Sequence, residues 1–287
     1  MISFVMAVLP VILLCFFVYY RDPNKEPIKL LLKIFFIGVL TAFPVIVVEG
    51  ILSIFFSTEM DKVGSFILLF INVFVGVAIV EEIFKWIVVK SFGYNNRDFD
   101  EIYDIIVYSV FSSLGFACIE NVFYVMSLGI GVSISRAFLS IPGHMCFGVL
   151  MGYFFAKAKL ASVSNENLCK KNLALSILVP SLFHTIYDAV LFYVAGESVP
   201  MVMRLLGTGI FYLFDIVMVI TCVVIIFRVS KVQNNVKINV NNGTIVKNSN
   251  GVMLNNVPSE RFNFCPVCGS PANGANFCGR CGMKLTK

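Results

Sequence analysis

Long apolar runs recur almost without a break from the N-terminus to Arg228, and no other feature constrains the fold as tightly. A bilayer core about 30 Å thick takes roughly 20 apolar residues per helix. Seven stretches answer that description, at about residues 2–20, 30–56, 64–90, 102–126, 133–156, 172–195 and 201–227. Hydrophobic residues make up 58% of the 287 positions and charged residues 14%. Soluble domains run near a quarter charged, and a soluble core of this size has no room for so much apolar surface. The sequence predicts an all-α polytopic membrane protein of about seven transmembrane helices, with a small cytoplasmic module at its end.

The net charge of +5 is explained by the loops, so no nucleic-acid partner is expected. Basic residues gather in alternate connections: Arg21, Lys25, Lys29 and Lys33; Lys90 and Arg97; Lys157, Lys159, Lys170 and Lys171; Arg228 and Lys231. The other connections hold chiefly Lys62, Arg136 and Arg204. The positive-inside rule then puts the N-terminus outside and the C-terminus in the cytoplasm of a cell membrane, which an odd number of spans requires. Residues 1–20 lack a basic leading segment and a small-residue cleavage site, and read as a retained first helix. The low charge and Asn-rich tail suggest a bacterial host.

Past the membrane region, residues 1–229, comes a polar linker, 230–261, rich in asparagine. It reads as a flexible tether. Lys237–Val240 and Thr244–Val246, on either side of Asn242-Gly243, are the alternative: a hairpin, which is marginal in isolation. Residues 262–287 hold Cys265-Pro-Val-Cys268 and Cys278-Gly-Arg-Cys281. Two such knuckles are the ligand set of a tetrahedral Zn2+ site, and a cytoplasmic location argues against disulfides. The expected module is a zinc ribbon held together by its metal, binding an unnamed cytoplasmic partner. The other five cysteines, Cys15, Cys118, Cys146, Cys169 and Cys222, show no ligand spacing and read as packing residues.

Ionisable residues at bilayer depth cost a few kcal/mol each, and here they form a pattern. Glu81-Glu82-Ile-Phe-Lys85 lies in the third predicted span. Neighbours on a helix diverge by about 100°, so Lys85 can hold one glutamate while the other points into a cavity. Glu120-Asn121 lies in the fourth span. The only two histidines, His144 and His184, lie in the fifth and sixth. Gly148 and Gly152 share the face of His144 and would let another helix come close. His184 and Asp188, four residues apart, share a face on which the acid can orient the imidazole. A lone buried histidine is more often a satisfied core residue than a ligand. Two histidines and several acids in four consecutive spans reverse that expectation. Imidazoles with a carboxylate suit Zn2+ or another divalent metal, with a glutamate as general base toward water. A metal-free variant has a glutamate activating water while the histidines and Asp188 stabilise the oxyanion.

Together, Glu81-Glu82-x-x-Lys85, Phe116-x-x-x-Glu120-Asn121, Pro142-Gly143-His144 and His184-x-x-x-Asp188 resemble the PrsW family of bacterial intramembrane proteases. The likeness extends to Tyr20–Pro27 and to Phe99–Asp104, and so covers about residues 15–190. It implies an endopeptidase that hydrolyses a peptide bond of a membrane-protein substrate, an anti-sigma factor in the family's named member. It implies catalytic roles for Glu81, Glu82, Glu120, His144, His184 and Asp188, with Glu120, His144 and His184 able to hold a membrane-site metal. The Asn-rich linker and the ribbon depart from the simplest family pattern.

Two other readings compete. One is a non-enzymatic receptor or scaffold that recruits a partner through its ribbon; the other is a transporter with a proton relay. A relay needs an acid–base path across the bilayer, and a protease needs one compact cluster. Helix arithmetic at about 1.5 Å per residue sets Glu81 and Glu82 roughly 23 Å from the outer surface. The same arithmetic sets Glu120 at roughly 9 Å and His144 at roughly 12–17 Å, which leaves convergence open.

Overall fold

A computed structural model describes residues 2–96, 98–162, 165–233, 236–239, 244–247 and 270–271. Up to Gln233 it is a helical bundle. Helix α1 spans Ile2–Tyr20, α2 Ile28–Leu52, and the single turn α3 Met60–Val63. Helices α4, Phe66–Val73, and α5, Ile79–Val88, form one rod, interrupted by a π-helical turn at Phe74–Ala78 and ended by another at Val89–Tyr94. Helix α6 spans Asp104–Leu128, α7 Ile130–Phe138, α8 Ser140–Ala161, α9 Glu166–Ala195 and α10 Met201–Gln233.

Six of these rods are long and apolar enough to cross a membrane; α1, apolar over Phe4–Tyr20, is shorter. Burial sorts them. The most apolar stretches of α6 and α8 are 78% and 72% buried, those of α2 and α10 only 28%. Helices α2 and α10 turn Phe36, Leu40, Phe43, Leu213 and Ile220 outward, as a lipid-facing helix must, since lipid leaves no reason to hide them.

Two glycines explain how the central pair packs. A Cβ on Gly148 would lie 2.9 Å from Val110 Cα, and one on Gly152 2.6 Å from Ile106 Cα. The stripe of small residues is thus filled by the backbone of α6, and this approach brings Glu120 of α6 level with His144 of α8.

Two elements differ from the sequence reading. The fifth predicted span is two helices, α7 and α8, joined at Leu139, so Pro142 falls in the first turn of α8, where a missing N–H costs nothing. Beyond the bundle, strand β1, Val236–Asn239, pairs antiparallel with β2, Thr244–Lys247, in the register Val236 to Lys247 and Asn239 to Thr244. The flexible tether is corrected to a hairpin at these eight residues. The cysteines Cys265, Cys268, Cys278 and Cys281 lie outside the described residues.

Candidate active site

Four rods bring their ionisable side chains to one place. Glu81, Glu82 and Lys85 come from α5, Glu120 from α6, His144 from α8, and His184 and Asp188 from α9. Glu82 and Lys85 are fully buried, and Glu81, His144 and His184 are 3–5% exposed. The π-helical turn Phe74–Ala78 ends immediately before the helical turn that carries the glutamate pair. Such turns are frequent at functional sites, because the extra residue rotates the next turn against its neighbours.

Lys85 is the hub. Its Nζ donates to Glu81 Oε2 at 3.0 Å and to Glu82 Oε1 at 2.8 Å, and lies 3.2 Å from His144 Nδ1 and 4.4 Å from the centre of the Phe116 ring. A buried ammonium costs several kcal/mol unless it is surrounded in this way. An ammonium can only donate, so His144 Nδ1 accepts from it and the imidazole proton sits on Nε2. That nitrogen faces Glu120 Oε2 at 2.8 Å.

His184 is held from both sides. Its Nδ1 is 3.1 Å from Glu82 Oε1, and its Nε2 is 3.2 Å from Asp188 Oδ2 and 4.0 Å from Glu81 Oε2. Phe147 stacks on its ring at 4.6 Å, and the two imidazoles meet edge to face at 5.4 Å. Every intramembrane residue that the sequence singled out therefore belongs to one cluster. The convergence that the depth arithmetic left open is what the structure shows for these side chains.

Two members of the cluster escaped the sequence reading. Arg136 of α7 pairs with Glu120 Oε1 at 2.9 Å, and its Nε donates to Asn121 Oδ1 at 3.0 Å. Asn121 in turn donates to the carbonyl of Ala7 on α1 at 2.9 Å. In the sequence Arg136 reads as a loop charge; the break at Leu139 folds α7 back over the cluster. Glu49 of α2 has Glu81, Glu120, His184 and Asp188 as electrostatic neighbours, and its Oε1 is buried without a hydrogen-bond partner among the described residues. An acid amid the apolar run Val45–Leu52 is the signal that could have found it.

Glu81, His144 and His184 each offer one ligand atom within 4.8 Å of the others. Ligands of a tetrahedral zinc lie roughly 3–3.5 Å apart, so small rotations would close the set.

A sequence model described as PrsW family intramembrane metalloprotease matches residues 26–227. Protease PrsW of Oceanobacillus iheyensis is 37% identical over 182 residues, which cover 63% of this chain and 79% of that protein. Protease PrsW of Bacillus subtilis is 35% identical over 185 residues, covering 63% and 79%. That of Clostridioides difficile is 34% identical over 193 residues, covering 66% and 78%. No solved structure matches the chain.

Proposed function

The chain belongs to the PrsW family of intramembrane proteases, and from that premise we propose that the cluster around Lys85 is where it hydrolyses a peptide bond of a membrane-protein substrate. The observation that carries this reading is the meeting of two imidazoles and five carboxylates from five helices at bilayer depth. Its chemistry is that of amide hydrolysis, and its compactness is what a relay across the bilayer lacks. Along α6 the run Ile105–Ala117 separates the cluster from the acids at the helix start, and the hydroxyls of Ser109, Ser112 and Ser113 within it are bonded to the carbonyls of Ile105, Lys85 and His144.

The residues present fit a divalent metal. Glu81, His144 and His184 would hold it once His144 gives up the proton it directs at Glu120, a two-histidine, one-carboxylate set that suits zinc. Even with both imidazoles protonated, Glu49, Glu81, Glu82, Glu120 and Asp188 outnumber the cations by one, an excess that a dication relieves. When bound, such an ion polarises the scissile carbonyl and makes water nucleophilic near neutral pH.

The side chains supply the rest. Glu82 takes the Nδ1–H of His184 and so fixes the ring's tautomer and direction. Lys85 bridges Glu81 and Glu82 and fixes both carboxylates in place. Asp188 is the carboxylate nearest the free edge of His184, able to take a proton from water and return it to the leaving amine. Arg136 and Glu120 set the ring of His144. In a metal-free site the same arrangement leaves Glu81 or Asp188 to activate water, and a doubly protonated His184 would direct its Nε2–H at the oxyanion.

The test is cleavage of a single-span reporter protein in membranes, with metal content measured on the same full-length preparations. Glu82→Gln and His184→Ala are expected to abolish cleavage and leave membrane insertion intact. His184→Ala is also expected to lose one metal per chain relative to wild type. Retained cleavage in either variant would sink the role given to that residue. Unchanged metal content beside lost cleavage would move the assignment to direct water activation.

The finer assignments belong to the same proposal. The N-terminus lies outside and the C-terminus in the cytoplasm, from the distribution of basic residues. Cys265, Cys268, Cys278 and Cys281 hold a structural zinc, and that ribbon recruits a cytoplasmic partner or regulator. The substrate is an anti-sigma factor, cut in regulated proteolysis.

A further inference from the structure

We propose that the cavity between α7, α9 and α10 is the subsite that receives a bulky uncharged side chain of the substrate, within four residues of the bond that is cut. The inference rests on the hydrolase reading above. The cavity has a volume of about 280 Å³, and its wall includes Arg136, Tyr187, Leu191, Val194, Thr208 and Phe211. Pockets for whole small molecules run from about 300 Å³ upward, so this one is scaled to a large side chain.

Its position ties it to the cluster along two routes. On one side Arg136, part of its wall, pairs with Glu120, which faces His144. On the other, Tyr187 of the floor precedes Asp188 in the chain, and Phe147 stands between Tyr187 and His184, with ring centres 6.3 Å from the first and 4.6 Å from the second. An extended peptide advances about 3.3 Å per residue. A substrate strand whose scissile carbonyl lies at His184 therefore reaches the floor with its third or fourth residue. The cavity lies toward the α9–α10 turn, the membrane face on which Val194 and Thr208 sit near their helix ends. A substrate helix that frays as it leaves the bilayer would present an extended strand there.

The lining sets the chemistry of the occupant. Tyr187 and Phe211 meet edge to face at 4.9 Å and form an aromatic floor, with Leu191 and Val194 above. The guanidinium of Arg136 is engaged by Glu120 and Asn121, and the hydroxyl of Thr208 donates to the carbonyl of Arg204 at 2.8 Å. Among the described residues no acidic side chain lines the cavity. Such a wall rewards Phe, Leu or Met and leaves a charged side chain without a partner.

The experiment expresses the full-length protein with a library of single-span reporters. Ten residues next to the membrane are randomised on the face of the α9–α10 turn, and cleaved members are sequenced. Wild type is expected to enrich Phe, Leu or Met at one fixed distance from the cut. Leu191→Trp, which fills the cavity, is expected to shift that position toward Ala, Ser or Gly. Cleavage of the original winners should fall about tenfold or more, the scale of apolar pocket discrimination. Thr208→Phe fills the same space from α10 and guards against misfolding of the first variant. The same large-residue preference in both variants, at normal expression, would overturn the subsite and leave the cavity to lipid or solvent. Absence of any cleavage by wild type would instead overturn the hydrolase reading on which the subsite rests.

Discussion

The bundle buries two clusters of carboxylates, and among the described residues the partners of Glu26 and Asp104 differ in kind from those of Glu81, Glu82 and Glu120. At bilayer depth, Glu81, Glu82 and Glu120 meet Lys85, Arg136 and two imidazoles. At the start of α6, Glu26 and Asp104 meet neutral donors. The phenol of Tyr108 donates to Glu26, and the backbone N–H groups of Asp100 and Glu101 donate to Asp104 Oδ2 at 3.1 and 2.7 Å. Asn24 joins that group through Glu101. Neutral donors fix an acid in place and stitch together the α1–α2 loop and the head of α6. Cations and imidazoles leave an acid with a proton or metal to exchange. Burial of acids is common to both clusters, and only the partners distinguish a lock from a reaction site.

Substitution in each cluster should therefore break different things. Glu82→Gln keeps the shape of the side chain and removes the charge that orients His184; cleavage is expected to fall by at least about a hundredfold, the low end of a general acid–base contribution. Asp104→Ala, in contrast, is expected to leave the turnover of correctly folded protein within a few-fold of wild type. It strands the buried N–H of Glu101 and a part-buried one on Asp100, and should lower stability by about 1–3 kcal/mol. Reporter cleavage and thermal unfolding in nanodiscs, measured on both variants, decide the matter. Loss of turnover in folded Asp104→Ala would erase the distinction between the clusters.

Lys85→Met probes the reaction cluster from its hub. Removing one partner of a buried ion pair costs about 3–5 kcal/mol because the charges left behind have no counter-ion, and here two carboxylates are left. The thermal unfolding midpoint should drop sharply. The double variant Lys85→Met with Glu81→Gln should recover part of the loss. Failure to recover would mean that Lys85 stabilises the bundle by packing on Phe116 rather than by charge. A smaller effect is expected at Glu49, whose Oε1 has no partner to lose: Glu49→Gln should keep stability within about 0.5 kcal/mol, as changes that break no contact usually do. If the acid serves the site, turnover falls while the midpoint stays.

Much of the reaction cluster was legible because ionisable residues are rare in apolar runs and therefore conspicuous. Glu81, Glu82, Glu120, His144 and His184 each stood out by that contrast, and Asp188 by its spacing from His184. Glu49 was missed, although it is an acid inside the predicted span 30–56. Arg136 was lost because a charge beside a loop is ordinary. Only the break at Leu139, a backbone angle and not a residue type, turns it inward. The π-helical turns left no trace in the apolar pattern, since Phe74–Ala78 is as apolar in either register. Helix number was legible to within one, because α1 is apolar throughout yet only 19 residues long. The hairpin was visible as a pattern but outweighed by the instability of isolated two-stranded sheets.

The smallest expected effect lies in the neutral-donor cluster and depends on pH. Glu26 precedes α2, and burial pushes its carboxyl up from the ordinary range to about 7; the hydrogen bond from Tyr108 opposes the shift, and Asp22 and Asp100 add to it. An acid whose pKa is raised on folding holds its proton more tightly in the folded state than in the unfolded chain. Stability then falls as pH rises through the window from about 4.5, the ordinary value, to about 7, and is level beyond it. Glu26→Gln keeps an oxygen for the Tyr108 hydroxyl and cannot ionise. Thermal unfolding of both proteins at pH 5 and pH 8 should show a smaller loss on raising the pH in the variant than in wild type. The comparison cancels every other group that titrates in that window. Equal losses would mean that Glu26 is charged in the folded protein at pH 5, and that its cluster, like the one around Lys85, is held by charge after all.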